Sequence, residues 1–549
     1  MSNDNSTTKQ DRKQSLVIQA GILAAAGIIV RLIGLFYNTP LVHIIGDEGF
    51  GYYDSAYAAY SIVLLISSFS IPSAISKVIA QRLAKSEYRN AFRIFKCTLL
   101  YVFVVGIIAS LFVFFCADWL VKMESAVLPL KILAPTIFFS GFLGAFRGFF
   151  QSQHSMVPTS LSQIIEQIFN AIFSIWMAYV LVNTANASDP SKVASYGAAG
   201  STIGTGAGVL ASLAFMLLLY YYNRPYVMKK VMEDTHPDES YKDILKMILM
   251  VVTPFILSTG IYNINTFLDK YLYQIILMGK GLLESDVAFD LSAYAKANKI
   301  ANIPIALSAA MGATLIPRIS SFMAQGKDNI ARAQLEKAIK VTMYISIPAT
   351  VGISVLAKPI MQFIFPQPES LSLASAMLIM LSVTVVLYGL STITQAVLQA
   401  IGKLNLPIIN ASLALIIHAL IMVLLMFIVP SDYALYCYGA ATIIYALVLC
   451  ILNGISIKKY LGYEQETDKT FLRPLISSVV MGVVVFFVYK GLYLLTKINI
   501  ISLLVSVGIG AVVYFVLTVK WQAISADELK ALPKGTYLVK IGKKLRIMK

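Results

Sequence analysis

Charge is what this 549-residue chain has least of: 13% of its residues are charged, 58% are hydrophobic, and mean hydropathy is +0.75. Soluble globular domains carry about 25% charged residues, so the composition excludes one and points to an integral membrane protein. Cysteine is nearly absent as well. Cys97, Cys116, Cys437 and Cys450 lie in or beside apolar segments without CxxC spacing or companion histidines, and read as small packing residues instead of a disulfide or zinc framework. Histidine is equally sparse, at His43, His154, His236 and His418, all far apart. No HExxH, clustered Cys/His set or nucleophile elbow occurs, so neither a catalytic nor a metal centre is expected. Phosphate-binding loops of the G-x-x-x-x-G-K-[ST] or dinucleotide type are missing, and no cofactor is expected.

What is present is a succession of apolar runs, each long enough to cross a hydrocarbon core of about 30 Å as a helix. The fold class expected is all-α and polytopic, with spans near 16–44, 51–82, 92–117, 127–150, 157–183, 195–222, 244–276, 289–323, 335–357, 372–400, 405–429, 434–456, 471–495 and 499–520. The N-terminal polar stretch leads into an apolar run longer than a signal-peptide core, which reads as the first membrane helix. The net charge of +16 is spread over many loops, not gathered on one nucleic-acid-binding face. Placing the N-terminus inside puts Lys9, Arg12 and Lys13, then Lys77 to Lys96, Arg224 to Lys230, Arg318 to Lys340, Lys458 and Lys459, and Lys543 to Arg546 in the cytoplasm. The positive-inside rule then sets both termini in the cytoplasm, as an even number of spans requires. The basic tail is accounted for by the same bias.

The chain also repeats itself. "SAYA" occurs at Ser55 to Ala58 and Ser292 to Ala295, and "LKILAPTIFFSGFLGAFRGFFQ" from Leu130 aligns with "LIMLSVTVVLYGLSTITQAVLQ" from Leu378. Thr136, Gly141 and Gln151 fall on Thr384, Gly389 and Gln399. The expected organisation is a six-helix bundle over 1–242, a second over 243–460, and two further helices with a basic tail over 461–549. Six spans between copies make the repeat parallel, with substrate expected between the halves.

Polar groups inside the spans are the candidates for function, since each buried charge costs roughly 2.5–3.5 kcal/mol on insertion scales. Arg31 stands in the apolar run "AAAGIIVRLIGLFYN". Lys296 and Lys299 share a helical face with Asn302 and together resemble an anion-receptive lining. Asn265 and Asp269 are four apart in the seventh span, and counting from "SAYA" puts Asp269 at nearly the depth of Arg31, which suggests an ion pair. Gln163, Glu166, Gln167 and Asn170 make a polar stripe on the fifth span, which helix-to-helix hydrogen bonding would also explain. Asp54, beside the first "SAYA", reads as a boundary charge or a coupling residue. Gly200, Gly204 and Gly208 are expected to serve close helix packing.

The stretch "RGFFQSQHSMVPTSLSQIIEQ", Arg147 to Gln167, resembles the polysaccharide-export branch of the multidrug/oligosaccharidyl-lipid/polysaccharide transporter superfamily. Within it, the similarity is to MurJ-type lipid II flippases and stage V sporulation protein B-like proteins, and it covers essentially the whole chain. The resemblance implies alternating access by a cationic cavity that carries the diphosphate and sugar-peptide head of lipid II outward, for cell-wall synthesis. It puts Arg31, in "VRLIG", on the family's essential first-helix arginine, and Lys299 and Asn302, in "KANKIANIP", on its eighth-helix motif. Tyr37 and Asn38 stand where Gram-negative members have a second arginine and an aspartate, so those roles do not transfer. Implied partners are lipid II or a related undecaprenyl-linked glycan, the bilayer of a bacterial plasma membrane and the cell-wall synthesis machinery. Membrane potential or a monovalent cation is the expected coupling. A flippase for another lipid-linked glycan, a drug exporter, a membrane scaffold and, last, an enzyme remain as alternatives.

Overall fold

A bilayer core offers backbone groups no partners, so a chain this apolar must satisfy them within helices. The computed structural model describes residues 4–69, 71–153, 155–185, 189–529 and 535–544, and these contain no strand; His154 and Arg546 lie outside them. The helices are α1 (Asp4–Leu64), α2 (Ile71–Ala84), α3 (Tyr88–Phe115), α4 (Glu124–Ser152), α5 (Val157–Thr184), α6 (Pro190–Glu233) and α7 (Tyr241–Gly279). There follow α8 (Glu284–Ala324), α9 (Asp328–Val355), α10 (Pro368–Ala400), α11 (Asn405–Ile428), α12 (Ala434–Leu461), α13 (Arg473–Thr496) and α14 (Asn499–Lys520). Proline opens α5, α6, α10 and α13 within the first turn, where its missing N–H leaves nothing unsatisfied.

Among the described residues, 11 helical segments are long and apolar enough to cross a membrane. One of them, 25–84, holds the first two expected spans, and α7 and α8, of 39 and 41 residues, supply the seventh and eighth. The fourteen-span reading holds. The loop expected at "GDEGFG" is instead a single break inside α1: Gly46 takes φ 71°, a left-handed conformation that glycine adopts without Cβ strain. Asp47 and Glu48 then open the following helix, where carboxylates suit the positive end of its dipole.

The described residues form two compact units, Met1–Ser292 and Ala293–Lys549. In the first, α7 is tied in by Gln274, whose Oε1 accepts from the Lys122 backbone N–H at 3.0 Å, and by Tyr273, whose hydroxyl donates to Asp290 at 2.6 Å. In the second, α13 and α14 stand against α9, where Gly482 meets Val351 and the Tyr514 hydroxyl donates to the Tyr344 carbonyl at 2.9 Å. The aligned glycines sit in matching places. Gly141 approaches Ser68 and Val102, between α1 and α2 in the second span and on α3, and Gly389 approaches Ser308 and Ser346, on α8 and α9.

On the side with the basic loops, the linker after α6 is clamped to the α2–α3 turn. Arg82 pairs with Glu239 at 2.5 Å and Arg93 with Asp238 at 2.5 Å. Asp234 accepts from the backbone N–H of Arg89 at 2.7 Å and of His236 at 2.9 Å.

Candidate functional site

The first half of α1 shows two faces. Ile29, Leu32, Phe36 and His43, at helical spacing, are exposed on one; Asn38, Val42 and Ile45 are buried on another. Arg31 lies in line with the buried set, at i, i+7, i+11 and i+14, yet it is exposed. Its exposure is therefore not that of a lipid-facing residue. No other described residue pairs with its guanidinium. The expected Arg31–Asp269 pair is not formed: Asp269 is buried on α7, and the next residue, Lys270, makes an ion pair with α1. Lys270 Nζ sits 2.5 Å from Asp54 Oδ2 and 3.3 Å from the Asp54 carbonyl, with side-chain exposures of only 8% and 14% for the pair. Equal depth from the repeat did not fix azimuth, and Asp54 is a half-buried ion-pair partner, not a solvated boundary charge. Asn265, one turn before Asp269, is also buried.

The stripe on α5 faces α1, α4 and α6. Glu166 receives Arg147 Nη2 at 2.7 Å, and the same guanidinium donates through Nε to Ser162 Oγ at 2.8 Å and through Nη2 to Ser212 Oγ at 3.2 Å. Arg147 thus joins α4, α5 and α6 through one planar group, for which guanidinium geometry is suited. Sequence reasoning gave it no role; a lone arginine at the foot of an apolar span, with a carboxylate on the next span, was the available signal. Asn170 Oδ1 lies 2.9 Å from Ser174 Oγ, and Asn170 also reaches the Tyr37 hydroxyl. Gln163 is half-buried on the same stripe. Behind it, a Cβ on Gly200, Gly204 or Gly208 would run into the α5 backbone at Ala178, Ser174 and Glu166, so the three glycines do serve close packing.

In the second unit the α8 face opens along its length. Lys296 is fully enclosed, donating to Ser370 Oγ at 2.8 Å with its ammonium 5.9 Å from the centre of the Phe365 ring. Lys299 is half-buried, and Asn302 is exposed and donates to Asn298 at 3.0 Å. Of the two lysines, Lys299 is the accessible one.

The chain is similar to known proteins over most of its length. The family described as "Lipid II flippase MurJ" matches residues 65–506. A lipid II flippase MurJ of Bacillus subtilis (strain 168) is 25% identical over 485 residues, covering 84% of this chain and 86% of its own. Stage V sporulation protein B of the same organism is 23% identical, covering 95% of this chain and 98% of its own. A solved lipid II flippase MurJ in an inward closed conformation superposes with a TM-score of 0.65 at 18% identity, over 90% of this chain and 97% of that one.

Proposed function

We propose that this chain, which belongs to the lipid II flippase MurJ family, carries the peptidoglycan precursor lipid II from the inner to the outer leaflet by alternating access. It is a multi-span membrane transporter, a flippase and not an enzyme. The observation that carries the proposal is Arg31, exposed on the non-lipid side of α1 and paired with no described residue. A diphosphate supplies the partner such a group lacks, and charge-assisted bonds to it are strong where water is scarce. Lys299 and Asn302 on α8 are a second cation and an amide that this reading assigns to cargo binding. Both termini are cytoplasmic in this reading, and the cell-wall synthesis machinery is its partner in the plasma membrane. Return of the empty carrier is driven by the membrane potential, which acts at about 2.3 kcal/mol per charge per 100 mV, or by a monovalent cation.

The test is rescue of cells depleted of their own lipid II flippase, with wild type beside well-inserted Arg31→Ala and Lys299→Ala. Rescue by wild type alone is expected. Rescue by all three proteins would remove Arg31 and Lys299 from the mechanism; no rescue by inserted wild type would move the cargo to another lipid-linked glycan.

A further inference from the structure

The second half of α1 is enclosed by its neighbours, with one exception. From Gly51 to Ile62 every residue is buried or half-buried except Tyr57, which is 40% exposed. Its neighbours Tyr53 and Tyr60 are 4% and 2% exposed, with ring centres 5.9 Å and 5.6 Å from that of Tyr57. A helix without a lipid-facing side that still opens at one aromatic ring presents that ring to a recess. Half-buried Asp54 and Ser61, at i−3 and i+4, continue the same strip.

The surroundings of Tyr57 are polar in a particular way. Tyr37 and Glu166 are within electrostatic reach of it, and Tyr37 and Tyr53 bring their hydroxyls to 3.4 Å. Glu166 is held in one orientation by Arg147, so its carboxylate keeps acceptor capacity at Oε1 while its charge is matched. Asn170, which reaches the Tyr37 hydroxyl, and Gln163, three residues before Glu166 on the same stripe, add amides, each both donor and acceptor. A site selecting a cation would leave its carboxylate unmatched, and one selecting an acyl chain would not assemble amides. An open aromatic face with a neutralised carboxylate in reach, and amides on the same stripe as that carboxylate, suits a pyranose ring, whose C–H face lies on the aromatic ring while its hydroxyl and acetamido groups bond to the polar groups.

We infer that Tyr57, with Gln163, Glu166 and Asn170, forms a sugar subsite on the first unit, distinct from the diphosphate-receptive Arg31. The inference rests on the reading that the cargo is a lipid-linked glycan. It assigns Tyr57 the stacking platform, Asn170 and Gln163 the rim contacts, and Arg147 a positioning role through Glu166.

The experiment compares binding of lipid II with binding of undecaprenyl diphosphate, which lacks sugar, by purified full-length protein in nanodiscs. The readout is the ratio of the two affinities for wild type, Tyr57→Leu, Tyr57→Trp, Asn170→Leu and Arg31→Ala. For Tyr57→Leu a roughly 3- to 10-fold fall in that ratio is expected, the range for losing one aromatic contact, with recovery in Tyr57→Trp. Asn170→Leu lowers the ratio too, whereas Arg31→Ala weakens both ligands and leaves the ratio near that of wild type. An unchanged ratio in Tyr57→Leu, or equal loss of both ligands there, overturns the subsite while leaving the flippase reading intact. If wild type binds undecaprenyl diphosphate but gains nothing from the sugar, the subsite is likewise overturned; if it binds neither lipid, the cargo assignment falls first and takes the subsite with it.

Discussion

Adding one methyl group to two glycines should move stability in opposite directions. Gly204 on α6 and Gly508 on α14 are both helical, so alanine at either gains about 1 kcal/mol of helix propensity. At Gly508 a Cβ meets nothing within 4 Å, and the gain stands. At Gly204 it would lie 2.6 Å from Ser174 Cα and closer still to Ser174 N and Oγ, so α5 and α6 must separate by about 1 Å to restore van der Waals contact. Overpacking of this kind costs typically 1–3 kcal/mol. Here the upper end applies, because the obstacle is backbone, and because Gly200 and Gly208 hold the same interface one turn to either side. Separation also stretches the 2.8 Å bond from Ser174 Oγ to the Ser201 carbonyl. The net expectation is a loss of about 2 kcal/mol for Gly204→Ala and a gain of up to about 1 for Gly508→Ala. Thermal midpoints in one detergent, read by fluorescence-detected size exclusion, should fall by several degrees in the first variant and hold or rise in the second. A Gly204→Ala protein as stable as Gly508→Ala would refute the argument that α5 and α6 touch backbone to backbone.

Asp54→Asn leaves the buried Lys270 ammonium uncompensated and should cost about 3–5 kcal/mol, with much of it regained in the swapped Asp54→Lys, Lys270→Asp protein; folded yield and thermal midpoint report both. Arg147→Met and Glu166→Gln should be non-additive by about 1–2 kcal/mol in a double-mutant cycle on thermal stability, since each removes the same 2.7 Å ion pair. In the linker after α6, burial pushes the Asp234 carboxyl up, but hydrogen bonds from Arg89, His236 and the His236 ring outweigh it and hold the group at about 2. A carboxyl depressed in the folded state stabilises it above the unfolded value of 3.8, so this clamp should weaken as pH falls from about 4 through about 2. Protection factors over 233–240, which correct exchange for its intrinsic pH dependence, should fall across that window in wild type and stay nearly level in Asp234→Asn.

The span count was readable because each run had to bury some 20 apolar residues, and the helices end within a few residues of the expected limits from α9 to α14. Two features lay outside the local pattern. The Gly46 break carries four polar or small residues in a row, which reads as a loop, yet a single left-handed glycine suffices to redirect the chain. The linker 233–240, to which sequence reading gave no role, has Asp238 and Glu239 engaged by Arg82, Arg89 and Arg93 of the basic α2–α3 segment.

For the candidate site, periodicity identified faces but not partners. The i, i+3, i+4, i+7 stripe on α5 was visible, and its residues do share one face; that Arg147 would meet it depended on how α4 crosses α5, which hydropathy does not encode. The same limit explains α7. Asp269 and Lys270 are consecutive, about 100° apart on the helix, and depth alone favoured the carboxylate as the functional group. Packing instead turned Lys270 to Asp54. That choice leaves Arg31 with no counter-charge among the described residues of the first unit, which is the condition an anion-carrying site needs: a guanidinium already satisfied by Asp269 would have to lose that bond before accepting a phosphate. Supplying an acid should therefore harm transport more than removing one. A carboxylate introduced at Gly34, one turn beyond Arg31 and on its α5-facing side, would compete for the guanidinium. Gly34→Glu is expected to fail in rescue while Gly34→Gln, of the same size, retains substantially more activity; equal rescue by the two would mean that Arg31 does not act through its charge.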